Sequence, residues 1–197
     1  LGFALDYYKD DYKNMELGLT KATGISLTPS LTYVFSENLT ASTYYTYERL
    51  KSDQTGAEWI SETYIGGGAS CSFGPCWIES DSNTTQTVGL SVNWKAIPKK
   101  LDVGADLVYA DFTGKIRFEN EPALPDLSST LTALGVHGTY KKSDTLSFRA
   151  DYRFERYKDS DWANIPESLL TTVDTLGITP NKQETHLIYF SVRYTFK

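Results

Sequence analysis

Thr185-His186-Leu187-Ile188-Tyr189-Phe190-Ser191-Val192-Arg193-Tyr194-Thr195-Phe196 lies at the end of the 197-residue chain and decides its class. Ile188, Phe190, Val192, Tyr194 and Phe196 fall on one face of an extended strand. Tyr189, Ser191, Arg193 and Thr195 fall on the other. Period-two alternation of this kind sets one face in an apolar medium and the other in a polar one. Similar segments recur at about Leu1 to Tyr8, Ile25 to Ser36, Leu39 to Leu50, Thr85 to Lys95, Lys100 to Asp111, Thr130 to Lys141 and Thr145 to Tyr157. With the closing segment, Thr185 to Phe196, they make about eight strands. Pro29 falls on the apolar face of the second, where its missing N–H predicts a local irregularity.

Composition alone would suggest a soluble protein. The chain is 40% hydrophobic, its mean hydropathy is −0.36, and no run approaches the roughly 20 apolar residues of a membrane helix. A membrane β-barrel escapes such scans because only alternate residues meet lipid. The 14 Tyr, 9 Phe and 4 Trp are more telling, since Tyr and Trp favour bilayer interfaces. A net charge of −6 argues against nucleic acid as a partner.

The connections alternate in length. Glu37-Asn38, Ile97-Pro98-Lys99 and Lys142-Ser143-Asp144 are tight turns. Residues 9–24, 52–84, 112–129 and 158–184 read as long loops, the last holding a short helical stretch near Pro166 to Thr175. Outer-membrane barrels keep short turns in the periplasm and long loops outside. The aromatics sort by the same topology. Tyr7, Tyr45, Tyr47, Tyr109, Tyr152 and Phe154 mark the outer ends, and Tyr33, Phe35, Trp94, Tyr140, Tyr194 and Phe196 the periplasmic ends. The expected fold is an all-β, antiparallel, up-and-down transmembrane barrel in the bacterial outer membrane.

The opposite face is the lumen. It carries Thr40, Ser42, Tyr44, Thr46 and Glu48, then Thr87, Gly89, Ser91 and Asn93, then Asp102, Gly104 and Asp106, then Ala133, Gly135 and His137. Ser147, Arg149, Asp151, Arg153 and Glu155 follow, with Arg193 on the neighbouring strand. Two readings stand side by side. The charges pair across strands and solvate a wet wall, or they contact something held inside. A closed eight-stranded barrel fills its interior with side chains. These small inward residues therefore predict a wider barrel, of which the chain is an arc. Leu1 already lies within an alternating segment, so residues 1–197 read as a single domain, the C-terminal portion of a longer chain.

Val88-Gly89-Leu90-Ser91-Val92-Asn93-Trp94-Lys95, followed by Ile97-Pro98-Lys99-Lys100-Leu101-Asp102-Val103-Gly104-Ala105-Asp106 and Tyr109, resembles the MtrB/PioB family. So do Tyr47-Glu48-Arg49 with Ser52-Asp53-Gln54, the segment from Leu146 to Tyr157 with Asp159, Asp161 and Trp162, and the closing strand. The resemblance covers nearly the whole chain but only the C-terminal part of the family's larger barrel. Lys197, after the terminal aromatic, departs from the pattern.

The resemblance implies an outer-membrane sheath around a periplasmic multihaem c-type cytochrome, passing electrons to an outer-surface cytochrome or an extracellular acceptor. It makes Glu48, Asp102, Asp106, His137, Arg149, Asp151, Arg153, Glu155 and Arg193 candidate contacts for that partner. Cys-x-x-Cys-His is absent from the sequence, so haem is expected only in the partner. His137 and His186 are the only histidines, and His186 faces outward near the outer rim. With no placed nucleophile, an enzyme is not expected. A passive diffusion porin is the alternative, sharing every feature but the resemblance.

Cys71 and Cys76 flank Ser72-Phe73-Gly74-Pro75 in the longest loop. A disulfide is expected, since the loop passes through an oxidising compartment. Two thiols without a nearby histidine make a poor metal site. Asp10 with Asp11, and Asp159 with Asp161, lack calcium-loop spacing and read as solvated surface.

Overall fold

The computed structural model describes residues 1–13, 17–57, 69–71, 74–119, 123–160 and 182–196. They form one antiparallel sheet. Its strands are β1 (Gly2–Asp11), β2 (Gly18–Ser36), β3 (Leu39–Ala57), β4 (Ala69–Cys71), β5 (Gly74–Ile97), β6 (Leu101–Phe118), β7 (Leu127–Lys141), β8 (Leu146–Ser160) and β9 (Lys182–Tyr194). Eight long strands follow each other in chain order, and β4 folds back on β5 as a short hairpin. β1 and β9 are the two edges, and among the described residues the sheet does not close.

Register confirms which residues share a face, because directly opposed residues point the same way. Leu5 opposes Leu27, Tyr45 opposes Val88, Leu90 opposes Leu107, Val136 opposes Tyr152, and Ala150 opposes Phe190. The apolar residues of all eight strands thus merge into one continuous face. Among the described residues it has no second layer to pack against. Phe190 is 74% exposed, Tyr33 57% and Trp94 52%. The only buried hydrophobic residue among those described is Ala133. A water-soluble protein does not leave so wide an apolar surface bare; a bilayer is the solvent that suits it.

The three tight turns lie where the sequence places them. Lys100 N–H donates to Ile97 O at 2.9 Å across Pro98-Lys99, and Lys99 has φ 65°. Ser143 Oγ accepts the Leu146 N–H at 3.1 Å.

The expected loops are too long. The β3–β5 ladder runs unbroken from Leu39↔Trp94 to Ala57↔Cys76, far past the expected ends at Leu50 and Thr85. β6 and β7 pair as far as Gly114↔Leu127. Along β5 the extension is polar on both faces from Ser80 to Thr84, so no hydrophobic alternation marks it there, yet the backbone ladder continues once its register is set below. At 24 residues β5 is over twice the 9–11 or so that cross a bilayer, so its outer half stands clear of the membrane.

Pro29 interrupts the β2–β3 pairing at residues 28 and 29 without shifting register. The shifts fall instead at Leu19/Lys21 and Val34/Ser36. The helical stretch expected near Pro166 to Thr175 lies outside the described residues.

Candidate functional site

The inward face is built from the alternate residues of the same strands. Thr28 and Thr46 hydroxyls meet at 3.0 Å, and Ser42 and Ser91 at 2.7 Å, in cross-strand pairs that satisfy polar groups along the wall. Several glycines there oppose a large side chain directly. Gly89 faces Tyr44, Gly104 faces His137, and Gly135 faces Asp106. A Cβ added at Gly89 would lie 2.0 Å from the Tyr44 ring, and one at Gly104 2.3 Å from His137. The larger side chain therefore lies flat across its neighbour's missing one. The rings follow the wall instead of projecting from it, and only glycine allows that close approach.

The expected contact residues divide by position. Asp106, His137, Arg149, Asp151 and Arg153 line one depression on the inward faces of β6 to β9, with a volume of about 420 Å³. Arg149 makes a two-pronged contact to Asp151, Nε to Oδ2 at 2.8 Å and Nη2 to Oδ1 at 2.6 Å. Arg153 Nε donates to Glu155 Oε1 at 2.7 Å. These pairs run along β8, between residues two apart, not across strands as the first reading had it. Asp102 does pair across, with Lys141 at 3.0 Å toward the periplasmic end. Glu48 stands apart on β3, opposite Ser26 and Thr85. Arg193 is also separate, lining a periplasmic depression with Lys99, Lys100, Lys141 and Lys142.

Tyr189 and Leu187 also line the central depression, and neither was a candidate from sequence. Strand parity places both inward, but an aromatic and a leucine do not stand out as polar-wall residues.

The aromatics expected in two belts fall on the outward face. Tyr33 and Phe35 meet edge to face at 4.7 Å between centroids, and Tyr194 and Phe196 at 4.8 Å, both at the periplasmic side. At the outer side Tyr45 Oη donates to Gln86 at 2.9 Å. His186 faces outward, with Nδ1 2.9 Å from Tyr152 Oη and its ring 5.0 Å from Phe154.

Cys71 and Cys76 fall in the β4–β5 hairpin, where Cys71 opposes Gly74 and Cys76 opposes Ala69. Their side chains, and so the expected disulfide, lie outside the described residues, as does Asp161.

Comparison with known proteins agrees with this architecture. Residues 1–196 match the family described as outer membrane beta-barrel porin, MtrB/PioB. The chain is 24% identical over 198 residues to outer membrane protein MtrB of Shewanella baltica (strain OS185). That alignment covers 98% of this chain and 27% of the relative, so the chain spans about a quarter of the relative's length. A porin-like barrel is not an enzyme class. With its lipid-compatible outer face and polar inner one, this chain belongs to the MtrB/PioB family of outer-membrane β-barrels.

Proposed function

We propose that this chain supplies part of the wall of an outer-membrane sheath that encloses a multihaem c-type cytochrome. Electrons would cross the membrane through that partner, to an outer-surface cytochrome or an extracellular acceptor. The barrel's own role is to insulate and align the haems, not to catalyse. Haem belongs wholly to the partner.

The observation that carries this reading is the flattened inward wall. Tyr44 and His137 lie over Gly89 and Gly104, so at these positions the side chains hug the wall rather than filling the interior. A small barrel plugs its lumen with side chains; a wide one leaves space for a channel or an occupant. The relative is nearly four times the length of this chain, which leaves room for many further strands in a family barrel. The charges of the central depression suit contact with a polar protein surface.

The test is purification of the full-length protein from its native membrane under mild detergent. Haem absorbance should travel with the barrel. Replacing Arg149, Asp151, Arg153 and Glu155 together should loosen that association. Single changes should do little, since exposed ion pairs contribute only about 0–1 kcal/mol each. A haem-free barrel that conducts small ions would establish the diffusion porin instead.

A further inference from the structure

The outward face changes character just above its outer aromatic belt. Lys9 follows Tyr7 by two residues on β1. Arg49 and Lys51 follow Tyr47 by two and four on β3. Lys115 and Arg117 follow Tyr109 by six and eight on β6. At about 3.4 Å per residue, these cations stand roughly 7–27 Å beyond the belt along their strands. Register brings them together on the outward face. Lys51 opposes Thr23 and Ser82, Ser82 opposes Lys115, and Ser80 opposes both Asp53 and Arg117. Asp53 in turn opposes Lys21.

Lys21, Arg49, Lys51, Lys115 and Arg117 line a single depression of about 390 Å³, five cations against the two carboxylates Asp53 and Asp81. Lys115 is paired with Asp126 at 3.0 Å. Lys21, Arg49, Lys51 and Arg117 make no ion pair among the described residues. This cationic patch stands on a chain whose net charge is −6. Beside it, a second depression of about 290 Å³ is bounded by Tyr7 and Ile25 below and Arg49 and Lys51 above. Apolar walls beside the outer aromatic belt, under a cationic rim that rises from it, are the complement of an anionic amphiphile.

We propose that this patch binds the phosphate groups of a phosphorylated glycolipid in the outer leaflet, with an acyl chain against Tyr7 and Ile25. Arg and Lys held on neighbouring rigid strands can share phosphate oxygens between them. The occupant is a lipid and not free phosphate, because the cations border an apolar groove on the lipid-facing side. This site is on the opposite face from the proposed partner surface, so either can fail alone.

The experiment uses the full-length protein reconstituted in vesicles of phosphatidylethanolamine doped with native or enzymatically dephosphorylated lipopolysaccharide. An impermeant label on a cysteine placed at Lys13, in a background with Cys71 and Cys76 replaced by Ser, checks on intact cells that this end is outside. Tight retention of native lipopolysaccharide through detergent exchange is expected, with weak retention of the dephosphorylated form. Lys21→Gln, Arg49→Gln, Lys51→Gln and Arg117→Gln should each weaken it by about fivefold. Inorganic phosphate at millimolar concentration should not displace it. Arg149→Gln, on the other face, should leave retention unchanged. Equal retention of both lipid forms, displacement by inorganic phosphate, full retention by the quadruple variant, or a Lys13 position unreachable from outside would each overturn the proposal.

Discussion

At the scale of single residues, what matters is which way each side chain points. Val92 and Leu107 lie on the apolar face, Val92 opposite Ala41 and Ala105, and Leu107 opposite Leu90 and Leu134. Their immediate neighbours Ser91 and Asp106 oppose each other on the inward face. Val92→Arg or Leu107→Arg should cost about 2–4 kcal/mol if placed near the bilayer midplane, because a guanidinium there must leave water. Ser91→Arg or Asp106→Arg should cost much less. Equal losses on both faces, measured by folding into vesicles, would show that the facing is wrong. This facing was legible in the sequence, since parity needs only one strand at a time. The glycine pairs were not. That Tyr44 covers Gly89 depends on which strand lies beside which and in what register, and neither residue carries that information alone.

At the scale of elements, the strands outrun their hydrophobic pattern, and their outer ends obey solution electrostatics. Asp81 lies near the outer end of β5, far above the aromatic belt. Desolvation raises its pKa first, and the neighbouring Glu79 adds to that through its charge and a hydrogen bond. The sign follows from linkage. A carboxyl with a raised folded-state pKa favours the fold when protonated. That contribution is complete below the ordinary value of 3.8 and is lost as pH rises through the raised one. Asp81→Asn removes the charge permanently. The variant should therefore gain stability over the parent as pH rises above 3.8, in urea unfolding followed across that window. Parallel pH profiles for the two proteins would refute it. The turns at Asn38, Lys99 and Ser143 could be read from sequence because they interrupt apolar alternation. The outer end of β5 could not, because Ser80 to Thr84 is polar on both faces, and there loop and strand look alike to a hydropathy pattern.

At the scale of the whole molecule, the open sheet poses a physical problem. Its edge strands β1 and β9 present backbone N–H and C=O groups that lipid cannot satisfy, and a strand edge in hydrocarbon is not tolerated. In the membrane each edge must pair with something. One solution joins β1 to β9 and closes a barrel of eight strands. The other gives each edge a different strand, as in a wider barrel. The inward wall discriminates between them. An eight-stranded barrel has room for little beyond its own side chains, whereas here Tyr44 and His137 lie along the wall over glycines instead of projecting inward. The wider barrel is the expected outcome, and the sheath requires it, since a closed eight-stranded barrel could not admit a cytochrome. Cysteines scanned over the outward positions Phe3, Leu5 and Tyr7 of β1 and Ile188, Phe190 and Val192 of β9, with Cys71 and Cys76 replaced, test this in the native membrane. No pair should form a disulfide under mild oxidation, whereas pairs across adjacent strands, such as Leu90 with Leu107, should form one readily. A β1–β9 crosslink formed in high yield within one chain would mean a narrow closed barrel, and the sheath would have to be abandoned with it.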